Sequence, residues 1–199
     1  MTEPKKSDTT RRKILATGRA LVLHGGFTGV GLSQILRESG VPKGSFYHYF
    51  PSKEAFGCAL LHEYVGEYLL KFDALAEAPG TAGDRLDAYW DVWLDESAQE
   101  GLASRCLVVK LAAEIADLSE DMRRILDAGV EQLVARIATL LREGAEDGTL
   151  RPQPDPMATA GGLYAQWLGA AILSKLARSE APLRQARADT ALRLDPQTP

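Results

Sequence analysis

Gly40-Val41-Pro42-Lys43-Gly44-Ser45-Phe46-Tyr47-His48-Tyr49-Phe50-Pro51-Ser52-Lys53 is the most informative stretch of the 199-residue chain. Phe46 and Phe50 stand four apart, a spacing that puts both rings on one helix face, so they are expected to anchor a short helix inward. Lys43, Ser45, Tyr47, His48 and Tyr49 are then left to project. These are DNA-contacting residue types: lysine offers charge to a phosphate or a donor to guanine, and serine and tyrosine hydroxyls donate to phosphate oxygens. Gly44 lets one backbone approach another. Lys53 falls in the first turn of the next helix, where free N–H groups and the positive dipole end favour a phosphate.

Working outward, Gly31 to Ser39 reads as a short helix with Leu32, Ile35 and Leu36 inward, closed by Gly40. Pro42 fits the first position of the following helix, where a missing N–H costs nothing. Two short helices around a glycine form a helix-turn-helix candidate. Upstream, Ile14, Leu15, Gly18, Leu21 and Val22 make one stripe, ended by Gly25-Gly26. Downstream, Ser52 can cap a helix carrying Phe56, Leu60 and Tyr64 on one face. Further helices are expected near 84–99, 104–116, 120–143, 156–179 and 182–193, with Asp155-Pro156 the strongest start signal. Apolar positions recur at three and four with no β-type alternation, so the expected fold is all-α. It has an N-terminal three-helix helix-turn-helix domain over 1–53 and a C-terminal helical domain over 54–199.

The composition is 45% hydrophobic and 25% charged, which excludes a disordered or collagen-like chain. No apolar run approaches the roughly 20 residues of a bilayer span, and no secretory signal precedes Ile14, so a cytoplasmic protein without membrane contact is expected. The net charge of -4 is unevenly spread: residues 1–53 carry nine Lys or Arg against three Asp or Glu, a local +6, which leaves -10 for the rest. A basic end on an acidic body suits a polyanion bound at that end alone, although a solvated basic face accounts for the charge as well. The 2 cysteines, Cys58 and Cys106, form no CxxC pair and have no His cluster beside them, so neither a metal nor another cofactor is expected. A glycine loop for phosphates, a GxSxG elbow and a Cys-His-Asp set are all missing, which argues against an enzyme using Cys106 as nucleophile.

The run Gly29-Val30-Gly31-Leu32-Ser33-Gln34-Ile35, followed by Val41 to Glu54, strongly resembles the DNA-binding domain of TetR-family repressors. The resemblance implies a homodimer on double-stranded, pseudo-palindromic operator DNA, with a C-terminal domain that senses an effector and dimerises. It adds Ser33 to the DNA-binding candidates Lys43, Gly44, Ser45, Tyr47, His48, Tyr49 and Lys53. The glycine-rich helix after 156, with Gly161, Gly162, Gly169, Ala170 and Ala171 beside Trp167, permits the close approach a dimer interface needs. Plain core is the competing account.

Ser104 to Glu114, Asp117 to Arg123 and Leu163 to Ala170 are similar to members of that family that sense reactive electrophiles or oxidants. The similarity implies a sensing role for Cys106 and Lys175 and control of detoxification genes. Independently, Ser104 is expected to cap a helix starting at Arg105 and Cys106, where dipole and guanidinium favour the thiolate. A small buried hydrophobe is the commoner fate of a free cysteine. Lys175, near a helix C-terminus, complements the dipole whatever its other role. Tyr89, Trp90, Trp93, Tyr164 and Trp167 fit either an effector pocket for a reversible ligand or simple core.

Overall fold

The computed structural model of the chain describes residues 6–94 and 106–196. The described residues fold into helices joined by turns and loops: α1 Lys6–Gly25, α2 Leu32–Ser39, α3 Lys43–Tyr49, α4 Lys53–Ala76, α5 Ala82–Leu94, α6 Leu107–Leu118, α7 Glu120–Glu146, α8 Pro156–Ala177 and α9 Ala181–Leu194. The all-α expectation holds. Two start signals are realised as read: Ser52 Oγ accepts the Ala55 N–H at 2.9 Å before α4, and Asp155 accepts the Ala158 N–H at 3.0 Å before α8. Pro42 is the residue before α3 rather than its first residue, and its carbonyl accepts from Ser45 and Phe46.

Two compact units divide the chain, Met1–Gly66 with Lys110–Asp127, and Glu67–Val109 with Ala128–Pro199. The first therefore holds α1 to α3, the start of α4, most of α6 and the start of α7. Its centre is an aromatic triad. Phe46, Phe50 and Phe56 are buried, with ring centroids 5.4 to 5.7 Å apart. Ile14, Leu15, Val22 and Ile35 are buried in the same unit. Gly18 is required on α1 because a Cβ there would overlap the ring of Phe56, so the glycine sets how closely α1 approaches α4. Each of these buried rings contributes on the order of 3 to 5 kcal/mol against truncation to alanine.

The second unit is built on a tryptophan stack. Trp90 and Trp167 lie face to face with centroids 4.8 Å apart and an interplanar angle of 13°. Trp93 and Tyr89 extend the cluster, and the Trp167 indole N–H donates to Thr190 Oγ1 at 3.0 Å. Arg136 grips Asp73 with two nitrogens, at 2.6 and 3.2 Å. Among the described residues, no helix is long and apolar enough to cross a membrane.

Candidate nucleic-acid interface and thiol site

Glycine at both flanks sets the helix-turn-helix. Gly31 opens α2, and Gly40 closes it with φ 62°, a left-handed conformation that leaves its N–H on the Arg37 carbonyl. The chain then turns through Val41 and Pro42 into α3, whose buried Phe46 and following Phe50 turn the opposite face outward. Lys43, Gly44, Tyr47 and His48 are exposed on α3, with Ser33 exposed at the start of α2. Ser45 and Tyr49 are half-buried: Tyr49 packs on the His48 ring at 5.0 Å, and the exposed Tyr47 stands edge-on to Phe46 at 5.6 Å. Gly44 has open space where a side chain would begin, so backbone is the surface it presents.

Lys53 is placed otherwise than a projecting lysine. Its ammonium donates to the Phe27 carbonyl at 2.8 Å and lies 4.8 Å from the Phe27 ring centre. Burial lowers its pKa, against an upward pull from the Glu114 carboxylate. Lys53 is half-buried, with one of its donors held by the Phe27 carbonyl.

Glu114, which no sequence signal singled out, reaches the same corner from α6. Its carboxylate accepts the Phe27 N–H at 3.1 Å and the Thr28 N–H at 2.5 Å, clasping the α1–α2 loop. Gly26 precedes these donors with φ 77°, and a Cβ there would come within 3.0 Å of the same carboxylate. Burial pushes the Glu114 carboxyl up, but the hydrogen bonds from Thr28 and Phe27, together with Lys53, outweigh it and hold the group below the usual glutamate range. Two more contacts tie this helix down: Lys110 Nζ donates to the His24 carbonyl at 3.2 Å, and Ser119 Oγ donates to Glu54 at 2.5 Å. A cavity of about 260 Å³ opens beside them, lined by Phe27, Thr28, Lys53, Glu54, Leu118, Ser119 and Met122.

Cys106 is fully buried, with 0% of its surface exposed. It stands immediately before α6, and its Sγ accepts the Val109 N–H at 3.5 Å. The expected start of this helix is corrected accordingly. Cys106 itself occupies the capping position, and the proposed cap Ser104 and neighbour Arg105 lie outside the described residues. The phenols of Tyr89 and Tyr164 lie within electrostatic reach of this sulfur; burial raises the pKa of both, so both stay neutral. Lys175 is exposed in the last turn of α8, as its position near a helix end suggested. Cys58 is half-buried on α4, and burial, aided by Asp121 and Glu54, raises its pKa and disfavours its thiolate. The aromatic candidates of the second unit are buried against one another, and Trp90 Nε1 has no hydrogen-bond partner among the described residues. No group of His, Cys, Asp and Glu able to hold a metal occurs among the described residues.

A glycine-flanked helix pair with lysine, tyrosine and histidine exposed on the second member, backed by a separate helical unit, defines a helix-turn-helix regulator. The profile of the tetR family of bacterial regulatory proteins matches residues 14–57, and that of the tetracycline-repressor-like C-terminal domain matches residues 82–190. The chain belongs to this family. It is 46% identical over 180 residues to the HTH-type transcriptional repressor NemR of Escherichia coli, covering 90% of each protein. It is 31% identical to the HTH-type transcriptional repressor DhaR of a Mycobacterium species, covering 88% of this chain and 87% of that one. The crystal structure of Escherichia coli NemR in its reduced form superposes with a TM-score of 0.89 at 43% identity, covering 96% of this chain and all of that one.

Proposed function

We propose that the protein is a homodimeric cytoplasmic repressor that leaves its operator when a reactive electrophile or oxidant modifies Cys106. The observation that carries the reading is the similarity to NemR across 90% of the chain, with a cysteine capping α6 at the position implied by that similarity. Lys43, Gly44, Tyr47 and His48, with Ser33, Ser45 and Tyr49, supply the DNA-reading face. Two such faces must enter major grooves about 34 to 36 Å apart, or a multiple of that distance. A second copy is recruited by the exposed apolar side chains Ile172, Leu173 and Leu176 of α8, which are 44%, 56% and 77% exposed. Lys53 is better assigned to holding the α1–α2 corner than to phosphate.

Alkylation by a maleimide is a balanced addition. The Cys106 sulfur forms a bond to one alkene carbon, the double bond becomes single, and the thiol proton ends on the other carbon. The modified thiol must be accommodated better in the form that cannot span two half-sites, since only differential affinity shifts a conformational equilibrium. Lys175 is assigned as a partner for the oxidised form of Cys106, and the genes under control as detoxifying enzymes; both rest on the resemblance.

The test is operator binding on DNA from upstream of the protein's own gene, with and without N-ethylmaleimide, for wild type and Cys106→Ser side by side. Release of wild type alone is expected. Release of both, or of neither, overturns Cys106 as the sensor and favours a reversible ligand in the helical body.

A further inference from the structure

We infer that α1 carries a second DNA-contacting strip, in which Arg11 and Lys13 hold operator phosphates at the two ends of α3. The inference rests on the reading of α3 as the DNA-contacting helix and is independent of any sensing role of Cys106. Much of the positive charge in residues 1–53 is already engaged. Arg37 pairs with Glu38 at 3.1 Å, the Arg19 guanidinium lies 5.2 Å from the centre of the Tyr64 ring, and Lys53 donates to the Phe27 carbonyl. The exposed face of α3 brings a single lysine, Lys43. One such charge is a small anchor for a duplex, because affinity for DNA comes largely from phosphates neutralised by Lys and Arg. A denser group stands on α1, which carries Arg11, Arg12 and Lys13 in succession and has no Asp or Glu from Thr9 to Gly25.

The fold sets two of these cations beside α3. The Arg11 guanidinium carbon lies 5.5 Å from the centre of the Phe50 ring, and Phe50 is the residue that ends α3. A guanidinium on a ring face keeps its N–H groups at the edge, where they match two oxygens of a phosphate. Lys13 is exposed, and its ammonium lies 3.8 Å from where a Cβ would stand on Gly40, in the turn that leads into α3. The carboxylate nearest in sequence, Glu38, is the one held by Arg37. At 7 residues, α3 is about 10 Å long, against a major groove about 12 Å wide. Cations at its two ends therefore come near the phosphate rows that border the groove it enters. Neither contact touches a base, so the strip adds affinity and register without sequence preference.

The test is the salt dependence of binding by the full chain, without electrophile, to a duplex from upstream of the protein's own gene and to an unrelated duplex of the same length. Lys13→Gln and Arg11→Met remove the charges, and Arg11→Lys keeps one. Lys71→Gln, at an exposed position of α4 in the other unit, controls for net charge alone. Lys13→Gln and Arg11→Met each take two contacts from a dimer, so each is expected to reduce the log–log slope on the upstream duplex by about 1.8, at about 0.9 per phosphate, and to weaken both duplexes alike. Arg11→Lys and Lys71→Gln should keep the wild-type slope. A wild-type slope in either Lys13→Gln or Arg11→Met overturns the two-ended strip. For Arg11→Met, a lowered melting temperature with that slope makes the arginine a cover for the aromatic core. An equal loss of slope in Lys71→Gln also overturns the inference, since net charge alone then accounts for the effect. Wild-type protein that binds neither duplex overturns the reading of α3 instead.

Discussion

The ammonium of Lys53 donates to the Phe27 carbonyl at 2.8 Å, whereas Lys43 stands exposed at the start of α3. The two lysines should therefore fail differently. Lys53→Ala is expected to lower stability by about 1 to 3 kcal/mol, the cost of a charged hydrogen bond in a half-buried site, and to leave the salt dependence of operator binding unchanged. Lys43→Ala should leave the melting temperature alone and cost about 1 to 3 kcal/mol of operator discrimination. Thermal melts and salt titrations of both variants check the pair. Glu114 adds a pH dependence of definite sign. Its carboxyl titrates below the usual range when folded, so the unfolded chain takes up the proton first as pH falls. The stability it contributes is complete above the ordinary glutamate pKa, roughly 4.3, and is lost as pH drops through the lower folded value. The gap in denaturant midpoint between wild type and Glu114→Gln should accordingly be widest near neutrality and close in acid.

At the level of elements, α8 has a buried face and, near its end, exposed apolar side chains. Leu163, Tyr164, Trp167 and Ala171 are buried, while Ile172, Leu173 and Leu176 are exposed together near its end. Leu176→Glu is expected to shift the protein toward monomer in sedimentation and to weaken operator binding in parallel, because one reading head engages one half-site. Wild-type sedimentation by this variant would remove the end of α8 from the interface. The helix-turn-helix was legible in the sequence because its signals are local: Phe46 and Phe50 four apart, glycines at both ends of α2, and a serine before α4. Asp155-Pro156 marked α8 for the same reason. The start of α6 was misplaced because the observed acceptor is a sulfur, a weak one outside the usual capping residues. Glu114 was illegible for a different reason. Its partners are backbone N–H groups 86 and 87 positions away, and nothing in Phe27 or Thr28 advertises that their amides need a distant carboxylate.

Over the whole molecule, the basic stretch 1–53 and the acidic remainder divide the electrostatic work. On the proposed reading the first attracts phosphate, and the second keeps the rest of the surface off the duplex. Operator affinity should fall linearly on a log–log plot against salt, with a slope of about 0.9 per phosphate contacted. The complete burial of Cys106 has a kinetic consequence of its own. A reagent cannot attack a sulfur it cannot touch, so every reaction waits for the protein to breathe open. At low reagent the response tracks concentration, but at high reagent it runs at the opening frequency whatever the compound's intrinsic reactivity. On the proposed reading, a carbon–sulfur adduct does not wash out, so the protein would behave as a dosimeter, recording accumulated exposure rather than the level of the moment.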